Sequence, residues 1–197
     1  MDQFNFFRGK NKVIPTNDEC FRLMSRYEML DNIRAHSLVV AKVAHLLART
    51  LFEAGVDISV ETVTAGALMH DIGKTASLKT GQDHSKIGRQ ICIDNNLNEL
   101  ADIVGEHVRL KDYDLNGGYS AKEIVFYSDK RVTHDTIVSL EDRLSYIIER
   151  YGRNQEDLQD RIRANFELCK RVETKLFSRL HFAADQLVTF AKDEYIG

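Results

Sequence analysis

The stretch Ala67-Leu68-Met69-His70-Asp71-Ile72-Gly73-Lys74 sets an imidazole and a carboxylate side by side at the end of an apolar run, with a glycine and a lysine close behind. Both side chains are metal donors, and neither is easily buried without a partner. Adjacent residues on a helix diverge by about 100°, so the pair approaches one ion from different directions and needs ligands from elsewhere in the chain. Gly73 suits the close of a helix, where a residue without Cβ lets the backbone turn, and it leaves Lys74 beside the pair. A cation beside a metal suggests an anionic substrate. An isolated His-Asp dipeptide is a weak signal that a helix cap or a surface ion pair would equally explain, so the surroundings decide.

Four further positions stand at helix ends or on inward faces: His36, His84, His107 and Asp129. His36 and His45 lie nine residues apart, which puts them on roughly opposite faces of one helix at about 100° per residue. Only one can serve an inward site, and His36, near the turn before a strongly apolar run, is the better placed. His45 reads as a packed or half-exposed histidine. Asp129 ends an apolar helical face, a costly place for an unpaired carboxylate. His134-Asp135 reads as an N-cap before a helix, and His181 falls in a helix–helix turn.

The elements that must position these groups are helical. Thr16, Asn17 and Asp18 offer caps for a helix over about 18–30, and a second follows over 31–54, with Ile33, Val40, Val43, Ala44, Leu47 and Leu51 at helical period and Gly55 at its end. A third runs from Val60 to about Asp71. Residues 75–83 read as a loop, then a fourth helix begins at Asp83 or His84 and a fifth covers about 97–108. The polar segment 109–120, with its double glycine, is long for a loop and so reads as functional or mobile. Ser120 caps a sixth helix ending at 129–131. A helix up to Gly152, a long one over about 154–180 and a short one over 182–194 contain few candidate site residues and read as scaffold or an oligomer surface. Residues 1–15 form an irregular arm carrying Phe4, Phe6 and Phe7, which pack back on the domain or on a partner. The expected division is therefore the arm at 1–15, a core at 16–135, and C-terminal helices over 136–197 packed on the same domain.

Composition narrows the class. A chain of 197 residues with one proline and no Gly- or Ser-rich stretch is one continuous fold. The net charge of −3, without a basic block, argues against an extended nucleic-acid surface but leaves room for a small anion at a local positive site. Cys20, Cys92 and Cys169 have no Cys-x-x-Cys spacing and read as core thiols in a reducing compartment. No apolar run approaches the ~20 residues of a membrane span, and the polar start is unlike a secretory signal, so a cytoplasmic protein without a membrane is expected.

Taken in order, His36, His70-Asp71 and Asp129 resemble the signature of the HD superfamily of metal-dependent phosphohydrolases, of the HDIG type. The matching segments are Ile33-Arg34-Ala35-His36-Ser37, Met69-His70-Asp71-Ile72-Gly73-Lys74 and Tyr127-Ser128-Asp129-Lys130, and the resemblance covers about 30–135. It implies an all-α HD-domain helical bundle with additional C-terminal helices, in which His36, His70, Asp71 and Asp129 hold one divalent metal. His84 and His107 correspond to the extra histidines of dinuclear HD hydrolases, where they bind a second ion and the doublet Asp bridges; the other reading makes one of them a hydrogen-bond partner of a ligand. The arrangement is similar to that of small bacterial HD hydrolases that split diadenosine tetraphosphate, and to the metal centre of cyclic-di-GMP phosphodiesterases. The Gly-Tyr-Pro element of the latter is missing, since Pro15 is the one proline.

The implied cofactor is one or two divalent transition metals, and mixed imidazole and carboxylate donors suit Fe, Mn, Co, Ni or Zn better than Mg alone. The implied reaction is hydrolysis of a phosphate ester or phosphoanhydride in a nucleotide-type substrate, with Asp71 orienting the water and Lys74, Arg109 and Lys130 as contacts to phosphate oxygens. Tyr113 or Tyr119 of the long loop could stack on a base. The alternative is an HD-fold nucleotide-binding or signalling module with little turnover. The aromatic arm and the last helices would make a homodimer or close the monomer.

Overall fold

The structure, a computed structural model, describes residues 14–153 and 155–196, so the aromatic arm with Phe4, Phe6 and Phe7 lies outside the described residues. The elements in order are α1 (Asn17–Arg26), α2 (Asp31–Glu53), α3 (Val60–Met69), α4 (Lys74–Thr80), α5 (His84–Asp94), α6 (Asn98–Glu106), α7 (Ala121–Lys130), strands β1 (Val132–Thr133) and β2 (Thr136–Ile137), α8 (Leu140–Tyr151), α9 (Glu156–Phe177), a 3₁₀ turn (Ala184–Gln186) and α10 (Leu187–Ala191). The class is all-α, with one antiparallel hairpin that pairs Val132 with Ile137 and Thr133 with Thr136.

The central element is α2, which packs against α3 along its length and against α7, the hairpin and α10. Val40, Val43, Ala44, Leu47 and Leu51 on α2, Leu68 and Met69 on α3, and Ile124, Val125, Phe126 and Tyr127 on α7 are wholly buried in one core. Apolar burial of this kind stabilises by about 25 cal/mol per Å², which is why the helical period was readable. Side chains fix the ends: Thr16 and Ser120 form capping boxes with Glu19 and Glu123, and Ser59, Asp83 and Ser139 cap α3, α5 and α8.

Several expected boundaries move, each for a local reason. Helix α1 stops at Arg26 because Glu28 takes a left-handed conformation (φ 51°) and Met29 N–H returns to the Met24 carbonyl at 2.9 Å, a Schellman closure without glycine. The segment expected as a loop over 75–83 is mostly helix α4, closed by Gly81 at φ 72°. Its sequence Lys-Thr-Ala-Ser-Leu-Lys-Thr has no apolar period, and Thr75 is its only buried residue. Helix α3 ends at Met69, so His70 to Gly73 form the turn between α3 and α4. Gly73 is needed there for space rather than for an unusual φ: a Cβ would overlap the His84 carbonyl and stand 2.6 Å from Gly88 N. His134-Asp135 is not an N-cap; it forms the hairpin turn with His134 at φ 55°, and Ser139 caps α8 instead.

The C-terminal helices are tied to α7 by buried charge. Lys175 Nζ contacts both oxygens of Glu123, at 2.8 and 3.0 Å, while Glu173 accepts from Tyr127 at 2.6 Å and Arg131 at 3.2 Å. The same Lys175 ammonium binds the carbonyls of Asp114 (2.7 Å) and Gly118 (2.8 Å), and so fastens the long 109–120 loop to α9. Tyr119 is part of that anchorage, its hydroxyl donating to the Lys175 carbonyl at 3.3 Å. All three cysteines are free and buried, and burial pushes each thiol up to about 12. Among the described residues no helix is long and apolar enough to cross a membrane.

Candidate metal centre

Helix ends from α2, α3, α5, α6 and α7 bring His36, His70, Asp71, His84, His107 and Asp129 to one place. Two groups of donor atoms result, each within 4.8 Å internally: His36, His70 and Asp71 in one, Asp71, His84 and His107 in the other. Asp71 belongs to both through different oxygens. Its Oδ2 lies 4.0 Å from His36 Nε2 and 3.5 Å from His70 Nε2, and its Oδ1 lies 3.4 Å from His84 Nε2 and 3.6 Å from His107 Nε2. Asp129 Oδ1 stands beside the first group, 3.1 Å from His36 Nε2 and 3.7 Å from His70 Nε2. Donors about 2.0–2.2 Å from a common ion stand roughly 3–3.5 Å from one another, so these separations suit bound cations.

Backbone carbonyls set the ring orientations. His36 Nδ1–H donates to the His134 carbonyl at 2.7 Å, His70 Nδ1–H to Ala67 at 2.7 Å, and His107 Nδ1–H to Val104 at 2.6 Å. In a neutral imidazole that leaves Nε2 as a lone pair, and all three Nε2 atoms face the carboxylates. The His107 and His70 bonds are local, made within the last turns of α6 and α3. The His36 bond requires the hairpin, whose left-handed turn at His134 presents the carbonyl.

A lone pair facing a carboxylate is repulsive unless a cation lies between them. The buried atoms His70 Nε2 and Asp71 Oδ1 have no hydrogen-bond partner among the described residues. Such an orphan pair costs free energy that metal coordination would recover. The residues therefore fit one or two divalent ions.

The electrostatics agree. Burial drives His70 down to about 3, with only partial compensation from Asp71. His84 is lowered to about 4 by burial and by the neighbouring His107. Burial opposes ionisation of Asp71, but His70, His107 and Lys74 outweigh it and hold the carboxyl well below the usual range. For Asp129 burial is likewise outweighed, by Lys130, His36 and His70. Neutral imidazoles and ionised carboxylates are the forms that ligate metals.

Three cations are expected here from the sequence, and the structure places each differently. Lys74, with its side chain 37% exposed, reaches Asp71 Oδ2 at 2.8 Å and is raised by that carboxylate against the effect of burial. Lys130 differs from the expected phosphate contact: it is buried, its ammonium donates to the His107 carbonyl and to Asp129 Oδ2 at 3.2 Å, and it lies over the Phe126 ring. Arg109 is exposed, at the start of the 109–120 loop. One cation was not anticipated at all. Arg143 of α8 stands 3.9 Å from Asp129 Oδ1, and nothing in the Leu140–Tyr151 sequence distinguishes it from a solvated charge on an amphipathic helix.

The HD domain family matches residues 33–169. The chain belongs to the HD domain family. It is also 26% identical over 151 residues to the uncharacterized protein MJ0778 of Methanocaldococcus jannaschii, covering 70% of this chain and 88% of that protein. A second relative is the tRNA (cytidine(56)-2'-O)-methyltransferase of Thermoplasma volcanium, 33% identical over 103 residues, which are 51% of this chain and 28% of that enzyme. No solved structure is significantly similar. The HD match begins at the α2 turn carrying His36 and extends past Asp129 into α9, so it contains every residue of the centre and also α8.

Proposed function

We propose that this HD-domain protein is a metal-dependent phosphohydrolase acting on a phosphate ester or phosphoanhydride of a nucleotide-type substrate. The observation that carries the reading is Asp71, a buried carboxylate whose two oxygens serve two separate donor groups, one of those oxygens having no hydrogen-bond partner among the described residues. A pure binding module has little use for six converging donors. In this reading His36, His70, Asp71 and Asp129 hold one divalent ion, and His84 and His107 hold a second with Asp71 shared.

When bound, the ions supply positive charge toward phosphate oxygens and lower the pKa of water. The chain supplies the rest. Asp71, whose oxygens both face the centre, would orient the attacking water. Lys74, partly exposed and already beside Asp71, can turn from that carboxylate to a phosphate oxygen and balance charge that develops there. Lys130 has no free donor direction toward substrate, so its part is to hold Asp129 and the His107 carbonyl in place. With two carboxylates against two divalent ions the centre carries about +2, which favours a phosphate dianion. Iron, manganese, cobalt, nickel and zinc all suit the donor set.

The test is release of phosphate or nucleotide from a panel of nucleoside monophosphates, dinucleoside polyphosphates and cyclic dinucleotides by protein reconstituted with Mn, Fe, Co or Ni, with Asp71→Ala in parallel. Turnover that disappears in the variant is expected. Metal bound with every substrate intact would make the chain a binding or signalling module.

A further inference from the structure

Helix α8 brings one cationic side chain beside the metal centre, and the chemistry above makes no use of it. Arg143 Nη2 lies 3.9 Å from Asp129 Oδ1, too long for a hydrogen bond, and its side chain is only 12% exposed. Its Nε is buried and has no hydrogen-bond partner among the described residues. The guanidinium sits 5.6 Å from the centroid of the Tyr146 ring, and that ring meets the His134 ring edge-on at 5.4 Å. His134 is the residue whose carbonyl orients His36. Arg143 is thus fixed against the Asp129 and His36 side of the centre by a ring on its own helix.

Two physical points follow. A buried Nε–H left unpaired is costly, and a partner that accepts from Nε and an Nη together is a two-oxygen anion, carboxylate or phosphate. Asp129 does not fill that role at its distance: its Oδ2 accepts from Lys130 at 3.2 Å, and its Oδ1 faces His36 Nε2 at 3.1 Å.

We propose that Arg143 is the residue that holds the substrate's phosphate, through Nε and Nη2 on two of its oxygens, with Tyr146 keeping the guanidinium plane in position. The assignment rests on the phosphohydrolase reading only for the word substrate; as an oxyanion site it stands without turnover. The ligand class is a phosphate mono- or diester whose phosphorus lies at the metal centre.

The experiment titrates inorganic phosphate by calorimetry into Mn-loaded protein, wild type beside Arg143→Lys and Arg143→Gln, after measuring Mn affinity and stoichiometry of each. Both variants should bind Mn as wild type does. Phosphate affinity should fall at least about tenfold in both, because an ammonium cannot reproduce the two-pronged contact. Where an ester is turned over, kcat/KM should fall about a hundredfold in both variants. Phosphate binding equal to wild type would overturn the assignment, as would absence of phosphate binding to the Mn-loaded wild type or loss of Mn from Arg143→Lys, which would make Arg143 a support for Asp129. Arg143-dependent phosphate binding without hydrolysis of any ester would sink the hydrolase reading and leave the site standing. Hydrolysis indifferent to Arg143→Gln would do the reverse.

Discussion

At the scale of single residues, the centre joins groups that would be unfavourable neighbours in the absence of a cation. His70 and His84 are held neutral by burial, with values of about 3 and about 4, while Asp71 and Asp129 are held ionised. In the unfolded chain an imidazole takes a proton below about pH 6.5 and a carboxyl below about pH 4. The unfolded state therefore binds more protons than the folded one as pH falls, and stability declines in the same direction. The metal-free protein should lose thermal stability progressively from about pH 6.5 toward pH 4 as the histidines become protonated on unfolding, and further below that as the carboxylates follow. Thermal melts across that range check it; a melting temperature flat between pH 7 and 4 would show that the histidines are not held neutral. Lys130 gives a second prediction at this scale. Lys130→Met removes the donor to Asp129 and to the His107 carbonyl without touching a donor atom, so Mn affinity should fall by about 10- to 100-fold, measured by titration calorimetry.

Among elements, the decisive contact is the one between the α3–α4 turn and the start of α5. Gly73 lets the backbone carrying His70 and Asp71 touch the backbone carrying His84. Gly73→Ala should push α5 away, destabilise the fold by about 1–3 kcal/mol, and weaken the group containing His84 and His107 more than the one containing His36. Denaturant unfolding and metal titration read the two effects separately. This contact also marks where sequence reasoning stopped. The sequence identified Gly73 as a turn residue, but the need for it comes from a helix eleven residues on. Helix α4 escaped for lack of an apolar period. The histidines and aspartates were legible because rare polar types stood at the ends of clear apolar helices. Arg143 was not, because its nearness to Asp129 is created by the hairpin, and the hairpin itself read as a cap. Lys130 carried the right charge in the right segment, yet only the packed structure shows its ammonium turned inward.

For the whole molecule, α9 and α7 form a frame that supports the centre from behind. Lys175 pairs with the buried Glu123 and also ties down the 109–120 loop. Lys175→Met would leave the Glu123 carboxylate buried without its cation, at a cost of about 3–5 kcal/mol, and should loosen the loop while leaving metal stoichiometry unchanged; chemical denaturation and limited proteolysis would register both. The loop that reads in the sequence as functional or mobile is thereby anchored to α9 at Asp114 and Gly118. Bound metal in turn should stabilise the frame, since ligand at a hundredfold excess over Kd adds about 2.7 kcal/mol.

The account depends most directly on two ions sharing Asp71. The deciding measurement is the number of Mn or Fe ions bound per chain, by elemental analysis after reconstitution, for wild type, His84→Ala and Asp71→Asn. Two ions in wild type, one in His84→Ala and a loss from both sites in Asp71→Asn is the predicted result. A single ion in wild type that His84→Ala leaves unchanged would contradict it.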